Sequence, residues 1–142
     1  MSKIIERIAN EMGCAYIYDD WGRINLKADK YGNRKQTRLI IETLPTNGQI
    51  DTQFSPIIKT SRTCIVAFLK PCALDFEGAE VGNIVDEMLD LAKQFVKRVD
   101  ASGYYEPIET LLDYNVVLDF LDANMAGVRV TLTLKELEGE CV

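Results

Sequence analysis

Ile4, Ile5, Ile8, Ala9 and Met12 recur at steps of three and four, with Lys3, Glu6, Arg7, Asn10 and Glu11 between them. That spacing predicts one apolar helical stripe running from about Ser2, an N-cap, to Gly13, a C-terminal stop. The period then changes to two. Cys14 to Tyr18 and Arg23 to Lys27 form short β-type segments joined by Asp19-Asp20-Trp21-Gly22, a hairpin-turn composition. A further strand is expected from Thr37 to Leu44, followed by Pro45-Thr46-Asn47-Gly48, whose proline and Asn-Gly pair favour a tight reversal. Gln49 to Phe54 is a weaker extended segment. Thr63 to Leu69 is a strongly β-prone run closed by Pro71 and apolar on both faces, which predicts a central strand.

Asp75 to Glu80 leads into the clearest helix, in which Val81, Ile84, Val85, Met88, Leu91, Ala92, Phe95, Val96 and Val99 keep helical spacing. Acids at its start and Lys93, Lys97 and Arg98 at its end suit the helix dipole, and Ser102-Gly103 ends it. The chain closes with Thr110 to Leu121, a turn Asp122 to Gly127 whose Met125-Ala126 tip is a candidate contact patch, and a strand Val128 to Lys135. In that strand Val128, Val130, Leu132 and Leu134 alternate with polar residues, as on a half-buried edge or face strand. Strands in succession with short turns predict an α+β domain spanning residues 1–142. Its mainly antiparallel sheet is covered by the N-terminal helix and the longer second helix, and it ends in a β-hairpin.

Composition adds limits. The chain has 142 residues, enough to bury a core without staples, and 47% are hydrophobic against 27% charged, an ordinary globular balance. No apolar run approaches the roughly 20 residues of a membrane span, and Met1 to Arg7 is charged where a secretory signal carries an apolar core. A cytoplasmic protein is expected. Cys14, Cys64, Cys72 and Cys141 are far apart and there is no histidine, so a structural zinc site and imidazole-based catalysis are not expected. Cys64 reads as a buried thiol in a reducing compartment and Cys141 as part of a fraying end. The glycines stand singly at element ends, which leaves no phosphate-cradling loop. Neither an enzyme nor a cofactor is expected.

Two acidic groups, Asp75 with Glu77 and Glu80, and Asp119 with Asp122, have the chemistry for acid–base work or a divalent cation; capping and solvation account for them better. Cys14 and Cys72 lack a basic neighbour that would activate a thiol. Charge is more informative in its distribution. The net value is −6, against general nucleic-acid coating, yet Arg23 to Arg38 holds six bases and one acid, whereas Val99 to Val128 holds six acids and no base. Lys30, Tyr31, Arg34 and Lys35 mix an aromatic with cations and are candidate partner contacts, with Met125 as a further one; a solvated loop is the simpler account of that stretch.

The closing segment, Asp119-Phe120-Leu121-Asp122-Ala123-Asn124-Met125-Ala126-Gly127-Val128, continuing to Leu134, resembles the terminal hairpin of small phage and prophage tail proteins of the tail-terminator and neck type. The order of elements is similar over most of the chain, and residue-level likeness is confined to the Asp-x-Asn-x-x-Gly-Val stretch. The Lys30 to Lys35 loop has no counterpart there. This resemblance implies a non-enzymatic subunit of a homo-oligomeric ring that contacts other tail or neck proteins and is virion-associated when phage-encoded. Neither a membrane nor specific nucleic acid is an implied partner. The alternative is a small adaptor whose basic hairpin loop holds an acidic partner.

Overall fold

A computed structural model of the chain describes residues 3–19, 38–45, 47–53, 59–71, 78–105, 108, 111–120 and 125–135. Helix α1 (Lys3–Glu11) turns Ile5, Ile8 and Ala9 inward, as their spacing requires. It stops where the sequence places a stop. Gly13 takes φ 74°, its amide donates to the Asn10 carbonyl at 3.1 Å, and the Cys14 amide donates to the Ala9 carbonyl at 3.0 Å. This is the Schellman pattern, in which a residue in the left-handed region lets two orphan carbonyls be satisfied. The Arg38 guanidinium donates to the Met12 carbonyl at 2.8 Å, placing a cation at the negative end of the helix.

Among the described residues six strands form one sheet: β1 (Ala15–Asp19), β2 (Leu39–Thr43), β3 (Asn47–Asp51), β4 (Lys59–Pro71), β5 (Tyr114–Phe120) and β6 (Met125–Lys135), in the order β1-β2-β4-β6-β5, with β3 also paired to β4. Four of the five pairings are antiparallel, and helix α2 (Gly78–Ala101) lies across β4 and β6. The expected α+β architecture of a mostly antiparallel sheet carrying two helices is therefore present. β4 is central as its two apolar faces predict: Cys64, Val66 and Phe68 join the core beneath the helices, while Ala67 and Leu69 join a smaller core on the other face with Ile17, Leu39, Ile41 and Met125. Each fully buried large side chain contributes roughly 1.5–3 kcal/mol. On the helix side Phe68 and Phe95 meet edge to face, 5.2 Å between centroids, and hold α2 against β4.

Two expectations need correction, the reversal at residues 45–48 and the turn at Met125 to Gly127. β1 pairs with β2 in parallel, and the second segment of the hairpin expected from Cys14 to Lys27 lies outside the described residues. The reversal expected at residues 45–48 does not occur, because β2 and β3 both run antiparallel to β4 and therefore in one direction. Between the Glu42–Val66 and Asn47–Thr63 pairs β4 contributes only Cys64 and Ile65, so the register breaks beside Pro45. The Thr43 hydroxyl bridges the break, donating to the Ile65 carbonyl at 3.3 Å and accepting from the Ile65 amide at 3.4 Å. Met125, Ala126 and Gly127 are strand, not turn: β6 begins at Met125 and pairs with β4 from there on. β6 lies between β4 and β5 and is therefore a face strand, one of the two alternatives its alternation allowed.

Candidate functional site

Along β2 and β4 the residues of one face alternate with those of the other, so Glu42, Arg62 and Cys64 stand on the side that faces the helices. Tyr16 of β1, beside Ile40 in the parallel register, reaches the same place. Its hydroxyl donates to Glu42 Oε1 at 2.7 Å, and Glu42 is fully buried. Arg62 Nη2 donates to the Tyr105 hydroxyl at 3.4 Å. Burial pushes the Cys64 thiol up to about 12, the Glu42 charge adds to this, and Arg62 opposes it. Tyr105 is also raised, chiefly by burial, with Arg62 the main opposing influence. The outcome is a polar cluster enclosed by core.

Chemically this cluster is quiet. A thiol that titrates near 12 is protonated at neutral pH and is a poor nucleophile, and a carboxylate without solvent exposure meets no substrate. Its contribution is to order: one buried acid fixes the lateral position of β1 through Tyr16. Replacing Tyr16 by phenylalanine is expected to cost about 1–3 kcal/mol, since a donor to a buried carboxylate is lost. Urea unfolding of Tyr16→Phe, Glu42→Gln and the double variant checks this; strictly additive losses would show that the pair is not coupled.

Most of the residues singled out from sequence lie outside the described ones: Lys30, Tyr31, Arg34, Lys35, Cys72, Asp75, Glu77, Asp122 and Cys141, together with the side chain of Asp119. Glu80 is exposed in the first turn of α2. Met125 is not at a surface tip: it is fully buried in the second core, because its strand position turns the side chain into the face lined by Leu39 and Leu69. Cys14 is buried, its thiol is raised chiefly by burial, and its Sγ approaches the Met12 carbonyl at 3.7 Å. Among the described residues no three Cys, Asp or Glu side chains gather as a metal ion would need, and no helix is long and apolar enough to cross a membrane.

The surface feature that sequence reading missed is β5. Tyr114, Val116 and Leu118 are 50%, 52% and 57% exposed, and Leu111 just before them is 87% exposed. They alternate with Asn115 and Val117, so a single apolar stripe runs along an edge strand. The signal was that alternation itself, which Val116-Val117-Leu118 obscures by placing three apolar residues in a row.

No protein-family model matches the chain, and a search of curated proteins finds no match.

Proposed function

We propose that the chain is a non-enzymatic structural subunit of a phage or prophage tail, a tail terminator or head-tail joining protein, that acts by assembling into an oligomeric ring. The observation that carries this reading is the likeness of the segment from Asp119 to Leu134 to the closing hairpin of such proteins. Two physical features support it. Opposite charges are segregated along the chain, which favours head-to-tail association, and the edge strand of that same hairpin exposes an apolar stripe suited to protein contact. The subunit is cytoplasmic while it waits and becomes part of the virion on assembly.

The test is the genetic neighbourhood. Tape-measure, major-tail and portal genes beside its own are the expected result, and a metabolic operon free of virion genes would count decisively against the reading.

A further inference from the structure

We infer that the outward face of α2 docks a second copy of this chain, helix against helix and antiparallel about a two-fold axis. The contact stands apart from the ring reading, since an isologous pair stops at two copies. Along α2 the buried side chains Ile84, Met88, Leu91 and Phe95 mark the face that meets the sheet. On the opposite face Asp86, Asp90, Lys93 and Lys97, all exposed, follow one another at steps of four, three and four and so form one stripe. Its order is acid, acid, base, base. The helix dipole accounts for Glu80 and Arg98 in the terminal turns, but its effect falls off within those turns and the stripe lies between them.

Within one molecule the stripe is poorly matched. Asp86 with Asp90, and Lys93 with Lys97, are like-charged pairs at i,i+4, an arrangement that destabilises a helix. Charges on the flank of α2 find partners inside the chain: Lys70 donates to Glu87 at 2.9 Å, and Arg98 meets Glu11 at 3.7 Å. Asp86, Lys93 and Lys97 make no ion pair with any described residue, and Asp90 Oδ2 accepts from the neutral Gln94 side chain at 2.9 Å, which leaves its charge uncompensated. A second α2 laid antiparallel, with the two-fold axis midway between Asp90 and Lys93, supplies what is lacking. Asp90 then faces the copy's Lys93 and Asp86 the copy's Lys97, and the symmetry repeats both pairs. A parallel arrangement would set acid against acid and base against base, which disfavours it. Leu89 and Val96, partly buried and one heptad apart beside the stripe, add apolar contact. The surface that complements this face is the same face reversed, and that selects the occupant.

Light scattering coupled to size exclusion, over a range of protein and salt concentrations, tests the contact on the full chain. The wild type is expected to rise from the 16.0 kDa monomer toward twice that mass as its concentration increases, and to fall back as salt is raised. Asp86→Lys with Asp90→Lys makes the stripe wholly basic, and Lys93→Glu with Lys97→Glu makes it wholly acidic. Each double variant is expected to associate about tenfold more weakly or worse, while circular dichroism and the melting transition stay close to wild type because the four side chains are exposed. An equimolar mixture of the two is expected to recover association, since each stripe then meets its opposite. A wild type that stays monomeric at every concentration and at low salt overturns the inference. So does a mixture no more associated than either variant alone. A larger oligomer that both variants leave intact also overturns it and leaves the ring reading standing. A dimer that obeys the charge reversals, in a protein whose gene sits in a metabolic operon, supports the contact and removes the phage reading.

Discussion

Gly127→Ala is expected to cost about 3 kcal/mol or more, enough to remove a large part of the stability of a domain of this size. Gly127 is buried in β6, between Leu69 of β4 and Val117 of β5. A Cβ there would be driven into the Phe68 carbonyl oxygen and would lie 3.0 Å from the Phe68 carbonyl carbon and 3.1 Å from Leu69 Cα. These are backbone atoms of the central strand. β4 cannot retreat, because β2, β3 and β6 hold its two edges and Phe68 is pinned beneath Phe95. The gain of up to about 1 kcal/mol that alanine brings by restricting the unfolded chain does not offset such a shift. Gly48 supplies the control. A Cβ at Gly48 would meet the Ser61 carbonyl oxygen and lie 3.2 Å from Arg62 Cα, yet β3 is exposed along its whole length and is free to move outward. Gly48→Ala is therefore expected to cost about 1 kcal/mol. Urea unfolding of both variants decides the matter; equal losses would mean that β6 yields as readily as an edge strand.

The same glycine shows where sequence reading ran out. Asp-x-Asn-x-x-Gly is turn composition, and a glycine required because two strands approach closely is written identically to one required by a turn. The composition of residues 122–127 accordingly predicts a turn, whereas β6 already begins at Met125 and buries that side chain. Elements fixed by local periodicity were legible: the stripes of α1 and α2, and the doubly apolar run of β4, all lie where their spacing puts them. Pairings that join distant segments were not. Nothing in Cys14 to Tyr18 names Leu39 as a parallel neighbour, because a strand's pattern records which face is buried and not which strand lies beside it.

Burial of polar groups was hidden for a related reason. Glu42 follows three apolar residues in β2 and reads as the solvent-facing end of a strand, yet the Tyr16 hydroxyl, 26 residues away in sequence, makes its burial tolerable. The polar cluster thus depends on tertiary partners that the local sequence does not name. The β5 stripe had the opposite character: its alternation was present in the sequence, but exposure of apolar residues emerges only when the fold leaves an edge uncovered.

Raising the pH is expected to destabilise the protein through Cys64. The folded thiol titrates near 12 and the unfolded one near its ordinary value of 9.0, a difference worth about 4 kcal/mol in full. Below pH 9 both states keep the proton and the stabilisation is complete. Between pH 9 and 12 the unfolded chain releases its proton while the folded chain retains it, so the unfolded state binds fewer protons and stability falls with pH. Between pH 8 and 10 this contribution comes to about 1 kcal/mol. Cys14 and Tyr105, both raised chiefly by burial, steepen the same alkaline limb. In Cys64→Ala the loss of packing, about 1 kcal/mol, is the same at every pH, and the Cys64 part of the alkaline slope disappears. Urea unfolding under reducing conditions at pH 8 and 10 compares the two proteins. Iodoacetamide labelling with peptide mapping gives an independent reading, with Cys64 modified only once the chain is unfolded. Parallel slopes for wild type and Cys64→Ala, or rapid labelling of Cys64 in the native protein at pH 8, would place that thiol in water and remove the enclosed polar cluster on which its titration depends.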